Sequence, residues 1–298
     1  MAQKSAVLKK KQLSDILIDL FVYGAIALTV IAAAYPVYFV CIASVSSPTA
    51  VSRGEVLLLP KKINFRAYQE VFQDARVWLG YRNTIFYTLA GTALSLVFTI
   101  PASFSLSRKE LPFRQGLMFF FTFTMFFSGG LIPTYFLMQN LNLVNTVWVM
   151  ILPFSVSVYN LIVTRTFFQN SIPEDLFEAA RIDGCSYTRF LFQIVLPLSK
   201  AIIAVIGLYY AVWYWNEYMR ALIYVQDKNL IPLQLVLRNI LVENQALEGS
   251  SLGAESRRQL VDLLKYALIV VSTLPMLILY PLLQKYFEKG VMIGSIKG

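Results

Sequence analysis

The residues best suited to chemistry lie in one apolar stretch, where Trp213, Asn216, Glu217 and Arg220 follow one another closely. Ionisable side chains are costly inside a membrane and by default mark a functional site. Glu217 and Arg220 are three positions apart, so a helix would present both on one face and they could pair. Amides and charged groups also hydrogen-bond hydroxyl and carboxylate groups of a solute. Together with Tyr209, these residues are candidates for a solute path.

A structural interpretation of the same residues stays open beside this one. Trp and Tyr are enriched where a membrane meets water, so the aromatic side chains also fit an interfacial belt. Glu217 and Arg220 equally fit a structural ion pair near that boundary.

Several other kinds of chemistry have no residues to support them. The chain has no His, which excludes imidazole catalysis and His-ligated metal. No stretch reads GxxxxGK[ST], the loop that binds nucleotide phosphates, so we expect the chain to hydrolyse no nucleotide itself. Cys41 and Cys185 are far apart in sequence, and Cys41 is predicted late in the first span and Cys185 in the cytoplasm, so we expect no disulfide between them. We therefore predict no enzyme activity, no metal site and no cofactor in this chain.

The composition is that of a membrane protein. Hydrophobic residues make up 57% of the 298 residues and charged residues 14%, whereas a typical soluble domain has roughly 25% charged residues. The net charge of +9 comes from Lys and Arg that collect in loops beside apolar segments, as membrane topology and anionic lipid favour. No nucleic-acid partner is predicted, because the chain has no basic, aromatic-rich soluble domain.

Six apolar segments are long enough to cross a bilayer as helices, which takes about 20 residues each. These segments are residues 16–43, 83–105, 116–138, 146–168, 201–225 and 262–287. The predicted fold class is an all-α integral membrane protein with six transmembrane helices. Its membrane domain covers residues 16–288, with polar tails at 1–15 and 289–298.

The positions of the basic residues predict the side of each loop. Lys and Arg in short loops and near the ends of spans stay in the cytoplasm. The basic N-terminal tail and the basic loop Arg108–Arg114 therefore predict cytoplasmic termini. Residues 44–82 and 226–260 become outer loops, and residues 170–200 become a cytoplasmic loop.

The third apolar segment carries Gly129, Gly130 and Pro133 near its middle. A helix broken there would free backbone groups, which a membrane tolerates only against protein or a water-filled cavity. That interpretation makes the two glycines part of a solute path. Small residues are also routine where membrane helices pack closely, and the sequence favours this packing interpretation.

The cytoplasmic loop carries the most regular polar pattern of the chain, which runs from Glu178 to Pro197. It reads as a short helix, a turn and a second helix. Ser171 is predicted to cap the first helix, Gly184 to end it, and Ser186 to cap the second.

Three small residues of this loop, Ala179, Ala180 and Gly184, form a patch that another protein could approach closely. The loop resembles the cytoplasmic EAA loop of permease subunits in bacterial ABC importers. The matching positions are Glu178, Ala179, Ala180, Asp183, Gly184, Phe190, Ile194 and Pro197. In that family the loop is the coupling helix that docks on the ATPase subunit. The resemblance makes these positions except Phe190, together with Arg181, the candidates for ATPase coupling.

The resemblance extends over nearly the whole chain. Residues 64–68 are similar to an Asn-Phe-x-x-Tyr stretch of sugar permeases, and residues 289–295 to their glycine-containing ending. Residues 215–237 resemble permeases for complex and uronate-containing oligosaccharides. The chain departs from the pattern at Cys185, where the family usually has Ala.

The resemblance implies a permease subunit of a carbohydrate-type ABC importer in the bacterial cytoplasmic membrane. It implies a second, different permease, two ATPase subunits that carry ATP and Mg²⁺, and an extracytoplasmic solute-binding protein as partners. With the position of Arg220 and the basic net charge, it predicts an acidic, uronate-containing oligosaccharide as substrate. The alternative is a secondary transporter driven by an ion gradient, although no internal repeat supports it. A membrane scaffold without transport activity would not need the polar fifth segment.

Overall fold

The chain is described here by a computed structural model, and every regular element within the described residues is a helix. The described residues are 13–247, 261, 263–278 and 281. The predicted all-helical fold class is confirmed for this part of the chain. The predicted tail at 289–298 and residues 1–12 of the predicted N-terminal tail lie outside the described residues.

The chain divides into two compact units. The first comprises residues 1–69 and 248–270, and the second comprises residues 70–247 and 271–298. In the first unit, α1 (Leu13–Ser44) begins close to the predicted start of the first span. Only 6% of its most apolar window is buried inside the chain, so its surface is available to lipid or to another protein.

The loop that follows α1 is partly ordered by hydrogen bonds. It contains α2 (Pro48–Ser52), whose N-cap is Ser47. The helix α3 (Arg66–Gln73) follows, and at its start the side-chain oxygen of Asn64 accepts the Arg66 N–H at 2.8 Å.

Most of the helices lie in the second unit, and α15 crosses the boundary between the units. Their bounds are α4 (Ala75–Ser107), α5 (Arg114–Phe126), α6 (Leu131–Asn140), α7 (Val147–Ile151), α8 (Val158–Ser171), α9 (Glu174–Ile182), α10 (Tyr187–Phe190), a π-helical turn (Leu191–Val195), α11 (Leu196–Leu198), α12 (Lys200–Trp215), α13 (Met219–Tyr224), a 3₁₀ turn (Lys228–Leu230), α14 (Leu233–Leu247) and α15 (Leu263–Ile278).

The helix α4 is the centre of the second unit, where it packs against α8, α12 and α14. Gly91, Ser95, Thr99 and Ser103 recur every fourth position, so they share one face of the helix. Thr99 lies 2.7 Å from the Tyr210 hydroxyl of α12, and Ser103 donates a 3.0 Å hydrogen bond to a backbone carbonyl of α8. Small residues let these helices approach closely, and their hydroxyls add bonds between helices.

Among the described helices, two are long and apolar enough to cross a bilayer unbroken, at residues 17–44 and 75–107. The number rises to four if each of two bent pairs counts as one span: α5 with α6, and residues 187–198 with α12. The last predicted span is described only up to Ile278 and one further residue.

The third predicted span is broken between α5 and α6, whose axes bend by 112°. Gly130 has φ +83°, in the left-handed region that favours glycine. A Cβ atom on Gly130 would meet no atom within 4 Å, and one on Gly129 would meet only Pro133, at 3.7 Å. The two glycines therefore allow a sharp turn, and they do not pack closely against another described helix.

The fourth and fifth predicted spans are also interrupted. Between α7 and α8, Pro153 lacks an N–H group and Phe154 has φ +63°. Between α12 and α13, residues 216–218 leave the helix. The apolar pattern did not indicate these breaks, because both segments remain apolar on either side of them.

Candidate functional site

The breaks after α7 and after α12 border one cavity of about 970 Å³. Its walls come from residues 154–160, at the start of α8, and from residues 208–219. Four of the predicted solute-path residues line it, namely Tyr209, Trp213, Asn216 and Glu217. The predicted candidates Gly129 and Gly130 do not line it and lie instead at the bend between α5 and α6.

Two tyrosines of α12 hold the broken fourth segment in place. The Tyr210 hydroxyl accepts the N–H of Ser157 at 3.0 Å, directly before α8. The Tyr214 hydroxyl donates to the Ile151 carbonyl at 3.0 Å, at the end of α7. A broken membrane helix must satisfy its freed backbone groups within the protein, and these side chains do so. Their role was missed from sequence, where they read only as part of an aromatic segment.

Arg220 is not among the residues that line this cavity. Its side chain is 5% exposed and its guanidinium lies 4.3 Å from the centre of the Trp213 ring. It donates to Glu217 at 2.9 and 3.1 Å, and to the carbonyls of Met150 and Pro153 at 3.0 and 3.3 Å. The predicted ion pair is therefore present, and it lies at a helix break rather than on one helix face.

The cavity wall also contains a polar residue that sequence reasoning missed. Asn160 is 5% exposed and lines the cavity, and its side-chain amide makes no hydrogen bond to any described residue. The Asn160 backbone N–H donates to the hydroxyl of Ser157, which is the N-cap of α8. This bond fixes the start of the helix. The sequence does carry a signal for this residue, since Asn160 is a polar side chain within an apolar segment and such residues are rare in membrane helices.

The loop at residues 170–200 folds as the predicted helix, turn and second helix. Gly184 ends α9 with φ +74°, in the conformation that glycine adopts at least cost. Ser186 caps α10 by accepting the N–H of Arg189 at 3.3 Å. The predicted cap Ser171 is wrong, because α8 runs through that residue and Pro173 stands at the N-terminus of α9 without a side-chain cap.

The buried side of this segment packs in an aromatic core formed by Phe104, Phe168, Phe177 and Phe190. Ala180 belongs to that core at 7% exposure, so it is not part of an exposed patch of small residues as predicted. The exposed side of the segment carries the other candidates for ATPase coupling, at the end of α9 and in the turn. The exposed candidates are Glu178, Ala179, Arg181, Asp183, Gly184 and, further on, Pro197, whereas Ile194 is half-buried.

Two features of this segment were missed from sequence. Ile182 at the end of α9 is 87% exposed, which leaves a large apolar side chain in the middle of the polar candidates. Glu174, in the first turn of α9, pairs with Lys109 of the preceding basic loop. The hydrogen bond and charge of Lys109 hold the pKa of the Glu174 carboxyl below its usual value. Within the described residues, no group of His, Cys, Asp or Glu could hold a metal ion.

Comparison with known proteins agrees with this architecture. Residues 75–293 match the family described as binding-protein-dependent transport system inner membrane component. The chain is 39% identical to the polygalacturonan/rhamnogalacturonan transport system permease protein YtcP of Bacillus subtilis (strain 168), over 95% of this chain and 99% of that protein. It is 36% identical to protein LplC of the same organism, over 97% of each chain.

A solved structure shows the same fold. One chain in the crystal structure of a bacterial ABC transporter involved in the import of the acidic polysaccharide alginate superposes with a TM-score of 0.81 and 33% identity. The match covers 93% of this chain and 99% of that chain. These similarities favour the ABC importer permease over a secondary transporter. The chain therefore belongs to the family of inner membrane components of binding-protein-dependent transport systems.

Proposed function

We propose that this chain forms half of an alternating-access pathway for an oligosaccharide, as one permease subunit of an ATP-driven importer. The observation that carries the proposal is the cavity of about 970 Å³ between α8 and α12, lined by aromatic rings and amides. Ligand sites in proteins are concave and mostly apolar, with a few placed polar groups that fix orientation. Trp213 and Tyr209 offer ring faces, and Asn160 and Asn216 offer amide groups to sugar hydroxyls.

The proposed substrate class is an acidic oligosaccharide. Support comes from two relatives, one named for polygalacturonan and rhamnogalacturonan transport and one for alginate import. Arg220 does not contribute to this support, because its guanidinium is bonded by Glu217 and by backbone carbonyls. No Lys or Arg lines the cavity in the part of the chain that the structure describes.

The proposed partners are a second, different permease, two ATPase subunits and a solute-binding protein outside the membrane. ATP and Mg²⁺ would bind the ATPase subunits, and this chain would carry no catalytic residue. The segment from α9 to α11 would couple ATP hydrolysis to transport, with α9 docked on an ATPase subunit. Both termini would lie in the cytoplasm, since that places this segment on the side where ATP is available.

The test is uptake by the reconstituted importer, with ATP enclosed in proteoliposomes and with an acidic and a neutral oligosaccharide of equal length. The Asn160→Ala variant should lower the apparent affinity for the acidic substrate about fivefold, as expected for one neutral hydrogen bond of ~1 kcal/mol. The matched control is Asn140→Ala, which removes an exposed amide at the end of α6 and should change nothing.

Two outcomes would overturn the proposal. Uptake that follows an ion gradient and ignores ATP would contradict the importer mechanism. Equal uptake by the Asn160→Ala and wild-type proteins would show that this cavity is not the pathway. Preference for the neutral sugar would contradict only the acidic substrate class.

A further inference from the structure

A second, smaller cavity of about 290 Å³ lies at the far end of α4 from Asp74 and has a basic lining. Arg108, Lys109 and Arg114 contribute to it from the segment between α4 and α5, and Gln169 and Glu174 from the end of α8 and the start of α9. Glu174 is the one carboxylate among the lining residues, and it is occupied by Lys109. Two guanidinium groups therefore face this cavity without a carboxylate of their own.

Arg108 is the least exposed of these cations, at 6%. Its Nε atom donates to the Ser107 hydroxyl at 3.2 Å, and its guanidinium lies 5.2 Å from the ring centre of Phe104 and 5.6 Å from that of Phe177. Its two terminal nitrogens make no hydrogen bond to any described residue, and no described carboxylate lies within 4.0 Å of it. The Arg108 guanidinium lines the cavity, so its two terminal nitrogens can donate to an anionic acceptor that binds there.

The neighbouring positive charges reinforce this site. Arg114 is half-buried and has no carboxylate partner within the described part of the chain. Arg165 of α8 uses its Nε atom to bond the Leu106 carbonyl at 2.9 Å, two residues before Arg108. Glu110 follows on the same loop and has no described cation within 4.0 Å, although it lines a neighbouring cavity of about 320 Å³ together with Arg108. Guanidinium groups match the planar arrangement of phosphate oxygens and bind them through paired hydrogen bonds.

The surroundings of the cavity distinguish a membrane lipid from a soluble anion. Arg114 is the first residue of α5. Phe113, directly before it, is 88% exposed, and Phe120, six residues further along α5, is 61% exposed. α4, which ends at Ser107 beside the cavity, is apolar and long enough to cross a bilayer. Basic groups directly beside an exposed apolar surface fit a phosphate headgroup with its acyl chains alongside.

We propose that the cavity lined by Arg108 and Arg114 binds the phosphate of an anionic membrane phospholipid. The headgroup supplies the acceptor oxygens that the terminal nitrogens of Arg108 lack, and the acyl chains cover the apolar side chains at the start of α5. Because Lys109 pairs with Glu174, the bound lipid also lies next to the first turn of α9. This inference does not depend on the transported substrate.

The test is native mass spectrometry of the full-length protein in detergent, with phosphatidylglycerol or zwitterionic phosphatidylcholine added. Wild-type protein should retain phosphatidylglycerol in preference to phosphatidylcholine. Arg114→Gln and Arg108→Gln should each lower its retention about fivefold, which corresponds to the ~1 kcal/mol that one basic side chain contributes beside an anionic lipid. Arg53→Gln is the matched control, because it removes an exposed arginine from the outer loop and should leave retention unchanged.

Three results would overturn the proposal. An equal loss in Arg53→Gln would show a general effect of net charge. Unchanged retention in Arg114→Gln would place the lipid elsewhere, and this variant decides the matter if Arg108→Gln does not fold. Displacement of the lipid by millimolar inorganic phosphate would identify a site for a soluble anion rather than for a phospholipid.

Discussion

At the scale of single residues, Arg220 shows how one buried charge can hold a break between two helices. The last carbonyls of a helix have no partner inside that helix. Arg220 bonds one such carbonyl, that of Met150 in α7, and also the Pro153 carbonyl in the break that follows. Glu217 balances its charge from the break after α12, and also accepts the backbone N–H of Arg220 at 2.9 Å. The pair thus joins the two breaks that border the large cavity.

The Arg220→Gln variant should therefore lose stability and should lose uptake of acidic and neutral oligosaccharides to the same extent. Removing one partner of a buried pair leaves the other charge uncompensated, which costs about 3 kcal/mol. Thermal unfolding in detergent measures the first effect, and uptake assays measure the second. As a control, Arg76→Gln breaks an exposed pair with Asp74 and Glu243 and should cost less than about 1 kcal/mol. A selective loss of acidic uptake in Arg220→Gln would mean that this side chain reaches the substrate.

Gly91 has no room for a larger side chain, because a neighbouring helix lies too close. A Cβ atom there would lie 2.4 to 2.6 Å from three ring carbons of Tyr214. That ring cannot move freely, because its hydroxyl bonds the Ile151 carbonyl.

We expect Gly91→Ala to destabilise the protein by about 1–3 kcal/mol through overpacking, measured as a lower unfolding temperature. Gly207→Ala in α12 is the control, because its Cβ would meet Leu96 at an ordinary 3.6 Å. Equal stability of the two variants would show that α4 and α12 can separate at little cost.

At the scale of elements, the segment from α9 to α11 has one side buried in an aromatic core and an exposed turn between α9 and α10. Phe177 and Phe190 pack in the aromatic core, with ring centres 5.0 Å apart. The turn between α9 and α10 depends on Gly184, whose left-handed φ of +74° would strain any residue with a Cβ atom. Beyond α11 the chain bends by 85° into α12, so a displacement of α9 can be passed to the helix that lines the cavity.

We expect Gly184→Ala to weaken coupling between ATP hydrolysis and uptake, because its turn conformation would cost about 1 kcal/mol. Gly184→Asn should retain more coupling, because Asn tolerates the left-handed conformation better than Ala. Both variants would be compared by the ratio of transported substrate to hydrolysed ATP. Gly116→Ala in α5 is the control, since it meets no atom within 4 Å and has no positive φ. Identical ratios in Gly184→Ala and Gly184→Asn would argue against a role for this backbone conformation.

At the scale of the whole molecule, much apolar surface is left for lipid and for other subunits. α1 is mostly exposed along its apolar length, and on α5 Phe119 and Phe123 are exposed as well. Soluble proteins rarely expose such large apolar surfaces. Ile182 is different, because it is an apolar side chain in a polar segment and not on a membrane helix. It fits the centre of a docking surface for an ATPase subunit, where one apolar side chain can dominate binding.

We expect Ile182→Asp to release the ATPase subunit from the purified complex, with at least tenfold weaker binding, the effect of losing ~1.4 kcal/mol or more at an interface. Co-purification of the subunits measures this directly. Leu59→Asp is the matched control, because it changes a 71% exposed apolar side chain in the outer loop. Retention of the ATPase by Ile182→Asp would contradict the proposed docking face.

The sequence by itself determined the helical membrane fold and the helix–turn–helix within residues 170–200, together with the cap at Ser186 and the turn at Gly184. Composition, segment length and local turn chemistry depend only on neighbouring residues, and they were sufficient for these features. The tertiary structure alone decided where the spans break, that Ala180 is buried, and that Arg220 faces backbone carbonyls whereas Asn160 faces the cavity. Apolar periodicity does not reveal such features in helices that are apolar all round, because they depend on which distant groups satisfy the backbone at each break.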